Sequence, residues 1–139
     1  MEFLKFGDMR KSTRPAGIRK VLKARSKGEF RNALAVFSCI EKDDSVTDVT
    51  DAKEEICKTM HSIRSAKRIV IVPFVHLSEN IALAEKAIML LGELHSQLQS
   101  AGFVTYSVSF GYHKTFELHF KGYGHPLAVA YRSFPRASQ

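Results

Sequence analysis

The sequence predicts an α/β fold in which a curved, mixed β-sheet carries two helices on one face. Two segments repeat apolar residues at helical spacing, and two short apolar runs have the length of buried strands. Toward the carboxyl terminus the apolar period changes to two, which is typical of half-buried strands. With 139 residues, 45% of them hydrophobic and 25% charged, the chain fits one domain with one core.

Each expected element follows from a local pattern of apolar residues and breakers. The helices are predicted at residues 49–64, with Asp48 or Thr50 as N-cap, and at 84–98, ended by Gly102. Strands fill the remaining apolar segments, and the last two are expected to form a hairpin. The predicted strands cover residues 2–6, 18–24, 33–40, 69–72, 104–110, 116–121 and 127–131.

Positive charge is concentrated at the start of the chain. The formal net charge is +7, and residues 1–32 carry ten Lys or Arg against three acids, whereas residues 33–139 carry eleven of each sign. Such a segment is either a phosphate-binding surface or a solvated face without a partner, and charge alone favours neither.

The compartment is predicted from what the sequence lacks. It shows neither the apolar run of a signal peptide nor one long enough to span a membrane, so we expect a cytoplasmic protein. In that compartment Cys39 and Cys57 are expected to be reduced thiols, the alternative being a disulfide between them.

A histidine follows the buried strand at residues 69–72. His76 lies in the segment 73–78, at the carboxyl end of that strand, where open α/β sheets tend to bind ligands. An imidazole there can donate or accept hydrogen bonds near neutral pH. The structural alternative is a histidine that caps a helix or satisfies a loop carbonyl.

A second candidate segment, residues 110–116, joins two alternating strands. Gly111 allows close approach of the backbone to a ligand, and Tyr112 can stack on a base or cover the sheet edge. Lys114 can bind a phosphate, stabilise an oxyanion or orient water, unless it simply faces solvent. In a third segment, residues 121–127, His125 precedes a proline and is expected to be structural.

Several chemistries lack their sequence signatures. The six histidines are dispersed and no Cys-x-x-Cys pair is present, so we expect no metal. Glycine-rich phosphate loops are absent, so we expect no nucleotide cofactor. The Gly-x-Ser-x-Gly nucleophile motif is absent as well. Residue types alone therefore leave the function open.

Three segments together resemble the N-terminal editing domain of archaeal threonyl-tRNA synthetases. They are Val-Pro-Phe-Val-His-Leu-Ser at 72–78, Phe-Gly-Tyr-His-Lys-Thr-Phe at 110–116 and Lys-Gly-x-x-His-Pro-Leu-Ala at 121–128. Their order and spacing agree with that family, and the likeness covers about residues 33–132. The resemblance implies a D-aminoacyl-tRNA deacylase-like fold and a homodimer.

The resemblance also implies an activity. The family's domain hydrolyses the ester that links wrongly attached L-serine to threonine tRNA. Lys114 matches the catalytic lysine, which positions the attacking water together with the free hydroxyl of the terminal ribose, and His76 matches the histidine that lines the amino-acid pocket. Substrate is expected to contact Ile40, Val75, Phe110, Gly111, Tyr112 and His113, the last of which replaces a common tyrosine.

The implied partners follow from the same family. They are tRNA(Thr) with serine on its three-prime end, a second copy of the chain, and the catalytic region of a threonyl-tRNA synthetase. Residues 1–139 are expected to form a single editing domain, either freestanding or the N-terminal part of a longer synthetase.

Two departures from the family keep a second hypothesis open. Val129 stands where the family usually has glutamate, and Phe6 stands where its first strand usually ends in histidine. Both changes bear on water positioning and pocket polarity. The alternative to an active deacylase is therefore a catalytically degenerate tRNA-binding or structural domain. A D-aminoacyl-tRNA deacylase is a third reading, against which the segment around Lys114 argues.

Overall fold

A computed structural model of the chain describes residues 3–11, 27–63, 66–110, 112–119 and 131–134. The described strands form two sheets of three strands each. In the antiparallel sheet, β1 (Phe3–Lys11) lies between β2 (Lys27–Arg31) and β6 (Tyr112–His119). In the parallel sheet, β4 (Arg68–Pro73) lies between β3 (Ala33–Ser38) and β5 (Thr105–Ser107).

Both helices pack on one face of the parallel sheet. They are α1 (Val46–Ser62) and α2 (Ala84–Ser100), and the β4 residues Ile69 and Ile71 lie beneath them. We call this the helix-side cluster; its other buried members are Val49, Ile56, Met60, Leu90, Leu91, Leu94 and Leu98. The expected α/β fold with two helices is thereby confirmed.

The opposite face of β4 forms a second cluster. Val70 and Val72 project there because successive side chains of a strand alternate between its faces. They pack with Val108 and with Phe30 of the antiparallel sheet. The ring of Phe30 lies 4.9 Å from that of Tyr106, centroid to centroid. Phe30 therefore links the two sheets through apolar contact.

The division into two sheets differs from the single curved sheet that the sequence predicted. Between β2 and β3 stands one residue, Asn32, with φ of 52°. Asparagine tolerates this left-handed backbone better than most residues. The turn carries the chain from one sheet to the other, and the Asn32 carbonyl accepts a hydrogen bond of 2.7 Å from the Lys67 amide.

The first helix begins earlier than predicted. Its N-cap is Ser45, so Asp48 and Thr50 were wrong candidates for that role. Asp48 is instead the third helical residue, and its Oδ2 accepts a hydrogen bond of 2.8 Å from the Ser45 amide. This is the acidic half of a capping box, which explains why an aspartate stands there. The second helix ends as expected, with Gly102 at φ of 97° after it.

Several strands also differ from their predicted extents. The first is longer, Phe3–Lys11, and β2 occupies a stretch where no strand was expected. The predicted strand at 104–110 is reduced to Thr105–Ser107, whereas β6 begins at Tyr112 rather than at 116. The strand expected at 18–24 lies outside the described residues, as does that at 127–131 except for Tyr131, which belongs to no strand.

A histidine and a serine link α2 to the edge strand β5. His95 Nδ1 lies 2.6 Å from the Oγ of Ser107, which is buried. Burial lowers the pKa of His95 because the charged imidazolium is poorly solvated there. The pair therefore stabilises the fold while the imidazole is neutral.

Removing the centre of β4 tests the packing. Ile71 is 1% exposed, so Ile71→Ala is expected to reduce the free energy of unfolding by about 2–5 kcal/mol. Met89→Ala, on the exposed side of α2, is the control and is expected to stay within about 0.5 kcal/mol. Urea denaturation measures both, and equal costs would contradict the assignment of Ile71 to the core.

The histidine link predicts a pH dependence of stability. The pKa of His95 is lowered in the folded state from the ordinary value of 6.5. As the pH falls, the unfolded chain therefore binds a proton at this histidine before the folded chain does. Stability is therefore expected to fall as the pH drops from about 7 to about 5. His95→Asn, which keeps a polar group near Nδ1 but does not titrate, is expected to flatten this dependence. Identical slopes in denaturation series at several pH values would contradict the prediction.

Candidate functional site

The carboxyl ends of the three parallel strands meet at one edge of their sheet. Ile40 follows β3, Val75 and His76 follow β4, and Phe110 follows β5. Parallel strands present their carboxyl ends at the same edge, which is where open α/β sheets bind ligands. The structure thus brings together four residues that the sequence analysis named from separate parts of the chain.

His76 lies in a single turn of 3-10 helix, Val75–Leu77, and is exposed. Its ring meets that of Phe74 edge-on, with the centroids 5.1 Å apart. Within the described part of the chain His76 makes no hydrogen bond or ion pair, and the residue at the N-cap of α2 is Leu83. Neither structural alternative for this histidine is seen there, so its nitrogens are available to a ligand.

Two apolar side chains line the helix side of this edge. Ile40 and Phe110 are half-buried, and both pack against the helix-side cluster. Phe110 also contacts Ile88 of α2. They form a fixed apolar base beneath the more exposed Val75 and His76.

Cys39 directly precedes Ile40 at this edge, and it stays a thiol. Burial raises the pKa of Cys39 above its ordinary value, and the negative charges of Glu41 and Asp44 raise it further. The reactive form of cysteine is the thiolate. Covalent catalysis by Cys39 is therefore disfavoured at neutral pH, and both cysteines of the chain are free.

Tyr112, His113 and Lys114 occupy the first three positions of β6 in the antiparallel sheet. Their partners across the ladder are Lys11, Arg10 and Asp8, in that order. Asp8 thus stands directly opposite Lys114, beside an irregularity in the ladder between Asp8 and Arg10. Such bulges often occur next to active sites, where they redirect the strand. Gly111 and Val129 lie outside the described residues.

A shallow groove lies near the amino ends of the parallel strands, away from the carboxyl edge. It encloses about 370 Å³ near the end of α2 that leads into β5. Gln97 there donates hydrogen bonds to Thr50 and Glu93, so part of its polar lining is already occupied. The groove is remote from the carboxyl edge, and we assign it no role. Its lining comprises Lys53, Glu93, Ser96, Gln97, Ser100 and Ala101.

The described residues hold neither a cluster of metal ligands nor a helix that could cross a membrane. Among them no three His, Cys, Asp or Glu side chains gather in a way that could hold a metal ion. None of the helices in this part of the chain has the length and apolar character needed to cross a bilayer.

Two features next to these residues were not predicted from the sequence. One is the register that sets Asp8 opposite Lys114. The other is a hydrogen bond of 2.7 Å from the Ser78 hydroxyl to Glu41, two residues that are 37 positions apart. Neither has a local sequence signal, because each joins segments that only the fold brings together.

Comparison with known proteins identifies the family. Residues 4–134 match the model of the archaea-specific editing domain of threonyl-tRNA synthetase. The chain is 37% identical over 101 residues to the threonine–tRNA ligase of Nanoarchaeum equitans, covering 72% of this chain and 16% of that protein. The corresponding ligase of Thermofilum pendens is 34% identical over 108 residues, 76% of this chain and 17% of that protein.

A third relative agrees with these two. The threonine–tRNA ligase of Thermococcus kodakarensis is 35% identical over 109 residues, which cover 76% of this chain and 17% of the ligase. The chain thus spans about a sixth of the length of the relatives it matches. It belongs to the family of archaea-specific editing domains of threonyl-tRNA synthetase.

Proposed function

We propose that this chain is an active editing domain that hydrolyses L-seryl-tRNA(Thr). One observation carries the proposal: in a member of this editing family, Ile40, Val75, His76 and Phe110 lie at the carboxyl edge of the parallel sheet, the edge at which open α/β sheets tend to bind ligands. The exposed imidazole of His76, which makes no hydrogen bond or ion pair in the described residues, suits a group that contacts substrate.

Editing is needed because a binding site distinguishes amino acids of similar size only weakly. Serine is smaller than threonine by one methyl group, and a difference of this size gives a binding site only about 10- to 200-fold discrimination. A second site that hydrolyses the wrong product adds a further selection step. The substrate we infer is therefore the serine ester on the terminal ribose of tRNA(Thr).

The reaction we infer is addition of water to the ester carbonyl. Water forms the new bond to carbon, the bond to the ribose oxygen breaks, and that oxygen leaves with a proton. Lys114 positions the water together with the free ribose hydroxyl, and its ammonium favours the negative charge that develops on the carbonyl oxygen. His76 lines the pocket for the amino acid.

The remaining site residues bind rather than react. Backbone groups near Val75, Phe110 and Gly111 hold the aminoacyl group and the adenosine, while Ile40 supplies an apolar wall. Tyr112 and His113 precede Lys114 in β6 and complete the substrate contacts. We infer for the whole domain the fold of D-aminoacyl-tRNA deacylases and a homodimeric assembly.

The family also suggests the partners. We infer that the domain acts on tRNA(Thr) beside the catalytic region of a threonyl-tRNA synthetase, in the same chain or a separate one. The basic segment at residues 1–32 supports this inference, because ten positive side chains there can contact tRNA phosphates.

A second candidate function is a degenerate domain that binds tRNA without hydrolysis. Phe6 favours it, since the backbone register sets Phe6 opposite Phe116, two positions from Lys114. An apolar pair then stands where the family usually provides an imidazole. Val129, which replaces the usual glutamate, adds to this argument.

Substitution of Lys114 tests whether the domain is an active deacylase. Wild type is expected to hydrolyse seryl-tRNA(Thr) faster than threonyl-tRNA(Thr), and Lys114→Ala is expected to slow loss of serine by on the order of a hundredfold, because a charge-stabilising donor is removed. Release of labelled amino acid measures both. Lys58→Ala, an exposed lysine of α1, is the matched control and is expected to keep full activity.

The outcomes separate the two candidates. Undiminished hydrolysis by folded Lys114→Ala contradicts the role of the lysine. Absence of hydrolysis by folded wild type that still binds tRNA establishes the degenerate domain instead.

The basic segment predicts salt-dependent binding. Replacing Arg19 and Lys20 with alanine is expected to reduce the slope of log affinity for tRNA against log salt by about two, because two phosphate contacts are lost. Filter binding from about 50 to about 200 mM salt measures the slope. The paired control, Lys58→Ala with Lys67→Ala, removes the same charge from exposed positions and is expected to leave the slope unchanged. Equal slopes in the two double variants contradict a contact by this segment.

A further inference from the structure

The antiparallel sheet has two different faces, and its register assigns residues to them. In β2, Phe30 is buried against the parallel sheet, whereas its neighbours Glu29 and Arg31 are exposed. Successive residues of a strand alternate between faces, and directly opposed residues of paired strands share a face. We call the face of Glu29 and Arg31 the outer face, and the face of Phe30 the inner face.

Lys114 lies on the inner face. Leu4 pairs with Phe30 on one side and with Leu118 on the other, so these three residues share that face. Lys114 stands four positions before Leu118 in β6, an even number, and pairs with Asp8. His113 precedes Lys114 directly and therefore lies on the outer face.

The end of the antiparallel sheet that contains these residues adjoins the carboxyl edge of the parallel sheet. Tyr112, the first residue of β6, comes two positions after Phe110, and two residues span at most about 7 Å. Tyr112 pairs with Lys11, and His113 pairs with Arg10. Both faces of the antiparallel sheet thus begin beside the proposed site.

In the middle of the outer face, positive and negative charges balance. Lys5 stands between Glu29 of β2 and Glu117 of β6 in the register. Arg31 forms an ion pair with Glu29, with 2.9 Å between the guanidinium nitrogen and the carboxylate oxygen. Two basic residues are therefore matched by two acids, and this part of the face has little attraction for a phosphate.

Next to the site, the outer face carries basic residues whose register partners include no acid. Lys27 pairs with Gly7, which pairs in turn with Thr115, and Arg10 pairs with His113. Strands of a sheet lie about 4.8 Å apart, so the three positions 27, 10 and 113 fall within a patch about 10 Å across. We call this patch the basic end.

The far side of the carboxyl edge, after β3 and β4, has the opposite sign of charge. Residues 40–44 and 77–86 form a ribbon there, joined by backbone hydrogen bonds from Lys42 to Asn80 and from Ala82 to Ile40. The ribbon holds five acids against two lysines, and four of the acids are exposed. A phosphate backbone is repelled by this ribbon and attracted by the basic end.

We propose that the basic end, formed by Lys27, Arg10 and His113, binds the phosphate backbone of the acceptor stem of tRNA(Thr). This inference rests on the proposed function and adds to it the surface that holds the tRNA and the direction from which it arrives. The stem lies on the outer face, on the side of the site away from the acidic ribbon. Lys5 and Arg31 make no phosphate contact in this arrangement.

Neighbouring residues of β6 then act on different parts of one substrate. The three-prime end of a tRNA continues beyond the stem as a single strand, so it can pass over the end of the sheet from the outer to the inner face. His113 contacts the backbone of the tRNA on the outer face, and Lys114 meets the ester on the inner face. Phosphate contacts fix position and orientation without reading bases, which suits a surface of basic side chains.

Filter binding of uncharged tRNA(Thr) tests this surface without relying on hydrolysis. Arg10→Ala and Lys27→Ala are each expected to reduce the slope of log affinity against log salt by about one, because each loses one phosphate contact. Arg10→Lys keeps the positive charge and is expected to keep the slope of wild type. Thermal unfolding of each variant establishes that it is folded.

Lys5→Ala is the matched control. It removes the same charge from the same face of β1, but from a position between two acids, so its slope is expected to equal that of wild type. Glu79→Lys tests the direction of approach, because it adds a positive charge to the acidic ribbon. Its slope is also expected to stay unchanged, and an increase of about one would show phosphates at the ribbon and overturn the proposed approach.

The outcomes for this surface and for the reaction are distinguishable. Equal slopes for folded Arg10→Ala and Lys5→Ala overturn the basic end as the stem-binding surface, even where wild type hydrolyses seryl-tRNA(Thr). A reduced slope for Arg10→Ala alone supports the surface. If wild type in that case hydrolyses no seryl-tRNA(Thr), the proposed reaction is overturned while the binding surface stands.

Discussion

The burial of β4 on both faces is the constraint on which the rest of the structure depends. Its four central residues, 69–72, are at most 1% exposed. Ile69 and Ile71 meet the two helices, and Val70 and Val72 meet the cluster that contains Phe30. A strand that is buried on both faces lies at the centre of the sheet. Its packing therefore fixes the positions of the neighbouring strands and of its own carboxyl end. The position of the His76 loop follows, because that loop is where β4 ends.

The residues of the proposed site come from both sheets. The parallel sheet provides Ile40, Val75, His76 and Phe110 at one edge, while the antiparallel sheet holds Lys114 opposite Asp8. The chain passes between the sheets at Asn32 and again after Phe110. Relative placement of pocket and lysine therefore depends on contacts between sheets, such as that of Phe30 with Tyr106.

The helices and strands that bury one face could largely be predicted from the sequence, because a buried face leaves a periodic pattern of apolar residues. Helix α2 was found within two residues of its end because its apolar stripe is continuous and Gly102 follows it. The segment around His76 was found because a short apolar run and Pro73 mark the end of β4. The partners of Lys114 and of Ser78 were not found, because register and loop contacts between distant segments leave no periodic signal. The division into two sheets was not predicted either, because the chain passes from one sheet to the other at a single residue, Asn32, which leaves no periodic signal.

The pairing of β1 with β6 has a consequence for the order of events during synthesis. Phe3 lies opposite His119, so the first and last described strands of the domain are neighbours. A contact between residues so far apart forms slowly, and a ribosome releases the amino-terminal partner long before the carboxyl-terminal one. The ladder that contains Lys114 cannot assemble until nearly the whole domain has emerged. A nascent chain stopped after α2 contains both helices, β4 and the β1–β2 pair but lacks β6, and one edge of β1 stays unpaired until β6 arrives.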